Sequence, residues 1–292
     1  MLKFKTTFAF YFFFLGVVTV GRSQDTLRTD SLKVDTLRTM TFNWKQLAKG
    51  IDYCETDAPK VSVVNDSKLS LVRINPELVE FVLLTASEHD KKAKTVATWA
   101  DSFDLNIAVN AGMYDVGNML TSKGFLRNFE HHNNGTVHPN YKSALCFNPV
   151  DSLQSKFEIF DLECYPMDSV RAGYYCIAQG LRMIDCNSQP IGWNKRKQSC
   201  SMIVAATDIS GNLYFVFTRS PYTHNEMIRF MLSFPFKINA AIYLEGGPET
   251  SLYINAGDTK IEKVGSYISN TYANDKNDHF WPIPNVIGVR VK

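Results

Sequence analysis

The sequence predicts an α+β domain whose core is a mixed, mostly antiparallel sheet with a few packed helices. Short apolar or alternating runs of strand length recur along the chain and are separated by turn-forming residues such as Asn75-Pro76. Two segments, near residues 91–102 and 223–234, carry apolar residues at helical spacing. The composition is 45% hydrophobic, with 20 Phe and 13 Tyr, which is enough to fill the core of such a domain.

Residues 1–23 are predicted to form a cleaved signal peptide. Two lysines precede an apolar stretch at residues 8–20, and the small residues Gly21 and Ser23 follow it. The stretch is shorter than the roughly 20 residues that a membrane span requires. We therefore expect an exported chain, periplasmic or secreted, with no integral membrane span after cleavage.

Residues 24–40 are predicted to be a flexible linker. Five-residue units begin at Asp25, Asp30 and Asp35, and each contains one leucine among charged and hydroxyl residues. So little apolar surface cannot form a core. Residues 41–292 remain, and their length suits one domain.

The pattern assigns the elements of this domain in order. Strands at residues 69–74 and 79–84 flank Asn75-Pro76, and a helix at residues 90–103 follows. A capping box formed by Thr223 and Glu226 starts the second helix. The other predicted strands lie at residues 105–110, 143–147, 157–160, 173–178, 201–207, 213–218, 240–244 and 286–291, and those at 201–207 and 213–218 form a hairpin.

Charge and motif content argue against several function classes. The formal net charge is +2, and no basic face alternates with aromatic residues, so a nucleic-acid partner is not expected. The cysteines form no C-x-x-C pair, and His131-His132 has no carboxylate at metal-ligand spacing. We therefore expect neither a metal nor another cofactor.

Six cysteines in an exported chain permit up to three disulfides, in fifteen possible connectivities. Cys164, Cys176, Cys186 and Cys200 are predicted to cross-link one subregion. Cys146 and Cys176 lie in apolar runs, so they fit buried free thiols equally well. No basic residue is placed by a motif to activate a cysteine as a nucleophile.

Three predicted strands end in a polar residue followed closely by glycine, at Asn110, at Gln179 and at Glu245. Such endings can present reactive groups at the edge of a rigid sheet, and glycine lets a ligand approach the backbone. Around Glu245, a simple hairpin with two solvated glutamates fits the local pattern equally well. The three segments together predict a pocket built on strand ends.

These segments resemble the phosphodiester glycosidase family, which includes the animal uncovering enzyme, and the chain is similar to a bacterial-type single-domain member. The family's Asn-Gly-Gly-Phe-Phe corresponds to residues 110–114, and its Leu-Asp-Gly-Gly-Gly-Ser-Ser corresponds to residues 244–251. Weaker counterparts are Ser122-Lys123-Gly124-Phe125, Gln179-Gly180-Leu181 and the hairpin at residues 207–215. The order is collinear from about residue 67 to the C-terminus, which is more specific than any single motif.

The resemblance implies an exported hydrolase that cleaves the glycosidic bond of a sugar 1-phosphodiester in a glycan or cell-surface polymer. Glu245 and Asn110 are the implied catalytic residues, with Glu245 as the carboxylate that activates water or stabilises the sugar cation. The amide of Asn110 and the N–H groups of Gly246 and Gly247 suit an oxyanion. The implied substrate-binding residues are Tyr114, Lys123, Arg182, Arg219, Gly246, Gly247, Glu249 and Thr250.

Simpler roles stay open for some of these residues. Arg219 fits a structural role at the end of its strand, Lys123 a solvated loop position, and Glu249 a bond within its own turn. If the proposed site is correct, Asn110, Arg182 and Glu245 line one cleft and reach one sugar phosphate.

The sequence also departs from the family pattern. Glu245 stands where the family has Asp, Ala111 replaces a glycine, and Pro248-Glu249 interrupts the Gly-Ser-Ser segment. An added methylene moves the carboxylate by about 1.5 Å, which is enough to weaken catalysis in an unadjusted pocket. The second hypothesis is therefore a catalytically inactive glycan-binding protein that retains the pocket.

Overall fold

Two antiparallel sheets, one small hairpin and three short helices are found in the computed structural model, which describes residues 38–192, 198–267 and 275–292. These residues all belong to one compact unit. The predicted signal peptide and most of the predicted linker lie outside the described residues. Within the described ranges, no helix is long and apolar enough to cross a membrane.

The larger sheet has eleven strands. Nine of them follow one another across the sheet in the order β1 (Lys45–Ala48), β2 (Ile51–Asp57), β3 (Lys68–Ile74), β14 (Leu213–Thr223), β13 (Ser199–Asp208), β15 (Ile238–Gly246), β12 (Tyr174–Ile184), β10 (Ser143–Pro149) and β11 (Phe157–Asp161). The other two are β8 (Leu126–Asn128), which pairs with β12, and β9 (His131–Asn134), which pairs with β8.

The second sheet has five strands, and the remaining elements are short. Its order is β17 (Thr259–Val264), β16 (Ser251–Ala256), β5 (Ile107–Asn110), β18 (Asn285–Val291) and β4 (Val79–Thr85). A separate hairpin joins β6 (Tyr114–Asp115) to β7 (Asn118–Ser122). The helices are α1 (Val96–Phe103), α2 (Met167–Gly173) and α3 (His224–Leu232).

The main hydrophobic core lies between the two sheets. Val109 and Ile287 of the five-stranded sheet belong to the same buried cluster as Ile203 and Phe215 of the larger sheet. Helix α3 packs on the other face of the larger sheet, and α1 packs Trp99 on the other face of the smaller one. Each large apolar side chain buried in this way contributes about 1.5–3 kcal/mol. The strand ends that carry the polar residues therefore project from a rigid sandwich.

The predicted fold class is confirmed, and every described strand pairing is antiparallel. The first predicted helix is shorter than expected, because Thr95 caps it and accepts a hydrogen bond from Thr98 N–H. The capping box of α3 is confirmed, with Thr223 and Glu226 each satisfying a backbone N–H of the other. The elements that were not predicted are helix α2 and strands β1, β2, β6, β7, β8, β9, β16 and β17.

One disulfide is present among the described residues, between Cys164 and Cys186. The prediction that four cysteines cross-link this subregion is therefore confirmed for these two and wrong for Cys176 and Cys200, which are free thiols. Cys176 and Cys146 are buried in the sheet. Their apolar environment explains why they behave as small core residues.

Candidate active site

Glu245 lies at the end of a central strand of the larger sheet. Strand β15 pairs with β13 on one side and with β12 on the other, and residues 240–245 are buried. A strand that is buried on both faces needs a continuous apolar run, which is why Ala-Ala-Ile-Tyr-Leu precedes the carboxyl group. After Gly246 the chain enters a 3-10 turn, Gly247–Glu249. Glu245 is therefore fixed where a rigid strand ends and the chain turns.

Burial favours the neutral form of the Glu245 carboxyl group. The residue is only 8% exposed, and its Oε1 accepts a 3.0 Å hydrogen bond from the N–H of Gly246. Loss of hydration raises the pKa of Glu245 to about 8; the Gly246 N–H opposes this change, and the charge of Glu249 adds to it. Glu245 is therefore mainly protonated at neutral pH, and it can donate a proton.

Glu249 provides a second carboxyl group in the turn that follows Glu245. The hydroxyl of Tyr114 donates a hydrogen bond to Glu249 Oε1 at 3.3 Å. Burial raises the pKa of Glu249, although the Tyr114 hydroxyl partly offsets this. The pKa of Tyr114 is also raised, by burial and then by the charges of Glu249 and Glu245. These three side chains therefore share one electrostatic environment.

Asn110 holds the turn that carries Glu249. It is 2% exposed at the end of β5, and its Nδ2 donates to the carbonyl of Glu249 at 3.0 Å. Its Oδ1 accepts from the N–H of Ser251 at 2.8 Å. The amide thus binds the backbone on both sides of Thr250 and positions the turn, and its role as an oxyanion donor stays a prediction.

The two glycines after Glu245 are required by space and by backbone conformation. A Cβ on Gly246 would lie 2.0 Å from the hydroxyl oxygen of Tyr243, and Gly247 has a φ of +79°. The N–H of Gly246 is bonded to Glu245, and the N–H of Gly247 is bonded to the sulfur of Cys200. The N–H groups that were expected to bind an oxyanion are therefore already used in this structure.

Arg182 is bound by two carboxylates of the protein. Its Nη1 lies 2.5 Å from Asp161 Oδ1, and its Nη2 lies 2.7 Å from Glu163 Oε2. The other oxygen of Asp161 accepts a hydrogen bond from the N–H of Cys186. The guanidinium therefore stabilises the region around the disulfide in this structure, and its role as a phosphate ligand stays a prediction.

Arg219 makes contacts of the same kind at the end of its strand. Its Nη2 donates to Asp275 Oδ2 at 2.7 Å and to the carbonyl of Asn277 at 2.6 Å. Its Nη1 donates to the carbonyls of Val264 and Gly265. These contacts correspond to the simpler structural role considered above, and phosphate binding by Arg219 likewise stays a prediction.

Lys123 and Thr250 differ in their access to solvent. The Lys123 ammonium is 44% exposed and lies 3.4 Å from Asp115 Oδ2, while its backbone N–H donates to the carbonyl of Met113. Thr250 is fully buried, and among the described residues its Oγ1 has no hydrogen-bond partner. Of these two, Lys123 is the one that a ligand in solution can reach.

A model of the phosphodiester glycosidase family matches residues 103–290, more than half of the chain. The chain belongs to the phosphodiester glycosidase family. The matched region contains both carboxyl groups, Tyr114 and Asn110. No curated protein sequence matches the chain.

Two solved structures share the fold at low sequence identity. The catalytic domain of zebrafish N-acetylglucosamine-1-phosphodiester alpha-N-acetylglucosaminidase, auto-inhibited by its pro-peptide, aligns with a TM-score of 0.54 and 10% identity, over 87% of this chain and 89% of that one. A hypothetical protein from Synechocystis aligns with a TM-score of 0.57 and 14% identity, over 86% of this chain. The alignment covers 64% of the Synechocystis protein, so this chain spans less than two thirds of its length.

Sequence reasoning missed two residues beside Glu245 in this phosphodiester glycosidase domain. The Tyr243 hydroxyl is hydrogen-bonded to the thiol of Cys200, which lies beneath the Gly246 backbone. Burial raises the pKa of Cys200 to about 11, so its thiol stays protonated and is a weak nucleophile. Cys200 lies close to Glu245 only because β13 pairs with β15. The spacing of these residues in the sequence does not indicate that they are neighbours.

The prediction that a strand ends at Gln179 is wrong, because β12 continues through Gln179 and Gly180 to Ile184. Gln179 is 3% exposed, its Oε1 accepts from the N–H groups of Phe125 and His138, and its Nε2 donates to the carbonyls of His138 and Tyr141. A buried amide is favourable only when its hydrogen bonds are made. Gln179 therefore joins β12 to the loops that follow β7 and β9.

One group of possible metal ligands occurs among the described residues. Ligand atoms of Asp161, Cys164 and Cys186 lie within 4.8 Å of one another. The two sulfurs are joined in the disulfide, and Asp161 is paired with Arg182. This donor set therefore suits a structural cross-link better than a metal ion.

Replacing Asn110 with alanine is expected to lower the free energy of unfolding by about 1–3 kcal/mol, because the buried N–H of Ser251 loses its partner and the carbonyl of Glu249 keeps only the Ser251 hydroxyl. Hydrolysis of a sugar 1-phosphodiester should also fall at least about 10-fold, since the turn that carries Glu249 loses its support. Urea unfolding and steady-state kinetics measure the two effects.

Asn106 supplies a matched control at the other end of β5. Its Nδ2 donates to the carbonyl of Asn255 at 3.0 Å, and its Oδ1 accepts from the N–H of Val291 at 2.8 Å. Asn106→Ala should lower the free energy of unfolding by about as much as Asn110→Ala does, and it should leave the kinetic constants unchanged. Equal kinetics for the two variants would show that Asn110 has no role in the site.

Proposed function

We propose that this phosphodiester glycosidase is an exported hydrolase that cleaves the glycosidic bond of a sugar 1-phosphodiester in a glycan or cell-surface polymer. The observation that carries the proposal is the pair of carboxyl groups, Glu245 and Glu249, at one strand end and its following turn. Glycosidases commonly use two carboxyl groups with different protonation states. Here one is deeply buried, and the other accepts a hydrogen bond from Tyr114.

The two environments assign different roles to the two groups. Glu245, with a pKa raised to about 8, is the proton donor to the oxygen of the departing phosphate. Glu249 is more exposed than Glu245, and its hydrogen bond from Tyr114 favours the ionised form, so we assign it the anionic role of stabilising the sugar cation or activating water. This reverses the role first inferred for Glu245 from the sequence, because burial of that carboxyl group opposes its ionisation.

Export is part of the same proposal. The sequence predicts a signal peptide at residues 1–23, and the disulfide between Cys164 and Cys186 suits an oxidising compartment. The substrate class follows from the family and from the activity in the name of the zebrafish protein. An N-acetylglucosamine 1-phosphodiester is therefore the first compound to assay.

The test is hydrolysis of a panel of sugar 1-phosphodiesters in water enriched in oxygen-18. We expect free sugar and a phosphate monoester as products, with the label on the sugar, because water attacks the anomeric carbon. Label on the phosphate would instead identify a phosphodiesterase. Saturable binding of a panel member without any turnover would support the alternative, an inactive glycan-binding protein.

A further inference from the structure

His138 has a backbone position fixed by Gln179, which lies in the middle of strand β12. Its N–H donates to Gln179 Oε1 at 2.8 Å, and its carbonyl accepts from Gln179 Nε2 at 3.0 Å. Gln179 is buried in β12, the strand next to β15. The loop that carries His138 is therefore anchored to the same sheet as Glu245.

The imidazole ring of His138 is also held in one orientation. Its Nδ1 accepts a hydrogen bond from the N–H of Asn140 at 3.2 Å, and the ring packs on Tyr141 with centroids 4.1 Å apart. Because Nδ1 acts as the acceptor, the neutral ring carries its proton on Nε2. The residue is half-buried, so an N–H donor of fixed direction is available to a ligand.

Lys123 is a positive neighbour of this ring. Burial lowers the pKa of His138, and the charge of Lys123 lowers it further. The loop of Lys123 is tied to Met113 by the hydrogen bond from Lys123 N–H, and the Tyr141 hydroxyl contacts the sulfur of Met113 at 3.9 Å. Met113 precedes Tyr114, which binds Glu249. The loops of Lys123 and His138 are therefore connected, through residues 113–114, to the residue that binds Glu249.

The charges in this part of the molecule suit a phosphodiester. Arg182 and Arg219 already have carboxylate partners at 2.5–2.7 Å, whereas the only carboxylate near the Lys123 ammonium, among the described ion pairs, lies at 3.4 Å. Asp115, which provides that contact, is itself half-buried. A phosphoryl oxygen with one negative charge can replace Asp115 as the partner of the Lys123 ammonium, beside the neutral imidazole.

We propose that Lys123 and His138 form the phosphate subsite, with Lys123 Nζ and His138 Nε2–H binding the phosphoryl oxygens of the substrate; this rests on the proposed function. When the bond from the anomeric carbon to oxygen breaks, its electron pair moves to the phosphate, and negative charge grows there. The hydrogen bond from Nε2–H then strengthens without transfer of its proton. The hydrogen bond from His138 thus stabilises the transition state more than it stabilises the bound substrate.

The test uses two replacements that separate the nitrogens of the ring. His138→Asn places an amide group at the position of Nδ1 and removes Nε2, whereas His138→Gln places its amide near Nε2. For a sugar 1-phosphodiester, kcat/KM should fall about 10- to 100-fold in His138→Asn and recover in part in His138→Gln. Hydrolysis of an uncharged aryl glycoside of the same sugar should not change. Equal losses on both substrates would overturn the subsite and indicate a structural role.

A binding measurement tests the subsite without any catalysis. Inorganic phosphate, titrated into the full-length protein, should shift the NMR signal of the His138 ring and raise its pKa, and Lys123→Met should abolish both effects. His132, which is exposed on β9, supplies the control replacement His132→Asn, which should leave the phosphate effects intact. An unchanged His138 signal at millimolar phosphate would overturn the subsite. A shifted signal together with no turnover on the panel would support the subsite and contradict only the proposed hydrolysis.

Discussion

Glu245→Gln is expected to lower kcat for a sugar 1-phosphodiester by about 100-fold or more, the scale of losing a general acid. Glutamine retains the size of the side chain and can still accept the hydrogen bond from Gly246 N–H. It lacks the proton that Glu245 holds because of its raised pKa. The loss should grow as the leaving group becomes more basic, since a poorer leaving group needs protonation more. Steady-state kinetics on phosphodiesters and on alkyl and aryl glycosides of one sugar measures this trend.

Two further variants make the assignment specific. Glu249→Gln should lower kcat by a similar factor for every leaving group, because the sugar cation is the same in each reaction. Glu130→Gln, at an exposed carboxyl group between β8 and β9, should leave kcat unchanged. If Glu245→Gln is fully active, Glu245 is not the acid. If both site variants show the same dependence on the leaving group, the division of roles between them is wrong.

Much of the fold was predictable because the strands are strongly patterned. Buried central strands such as β13 and β15 appear as continuous apolar runs, and the capping box of α3 is a local hydrogen-bonding motif. Strand β17 was missed because its burial alternates between exposed and partly buried, and its sequence, Thr-Lys-Ile-Glu-Lys-Val, is mostly polar. The first helix was predicted too long, since the tertiary bridge between Lys94 and Ile283 takes the residues before Thr95 out of the helix.

The candidate site was recognisable in the sequence where its residues form a local motif. Glu245 and its two glycines stand out because a buried apolar run stops there abruptly. The partners of Arg182 and Arg219 were not predictable, because Asp161 and Asp275 reach them only through the folded sheet and its loops. A sequence shows which side chains are charged, but their availability to a ligand depends on which other charges the fold brings to them.

The protonation of Glu245 was unpredictable for the same reason, and it has a consequence for stability. A carboxyl group whose pKa is raised from 4.5 to about 8 binds a proton in the folded state that the unfolded chain releases above pH 4.5. The free energy of unfolding should therefore decrease as pH rises from about 4.5 to 8, and level off above it. At about 1.4 kcal/mol per pKa unit, the full effect is on the order of 5 kcal/mol.

Glu245→Gln should remove most of this dependence. The variant and the wild type should have similar free energies of unfolding at pH 5, because both side chains are then neutral in the folded protein. At pH 8.5 the variant should be more stable by up to about 5 kcal/mol, because it has no carboxylate whose removal from water opposes folding. In the variant, the free energy of unfolding should still decrease with pH, but less steeply, because the pKa of Glu249 is also raised. Urea unfolding from pH 5 to 9, with the disulfide intact, measures both curves. Parallel curves would show that Glu245 is ionised in the folded protein, and the proton in the proposed mechanism would then have to come from another group.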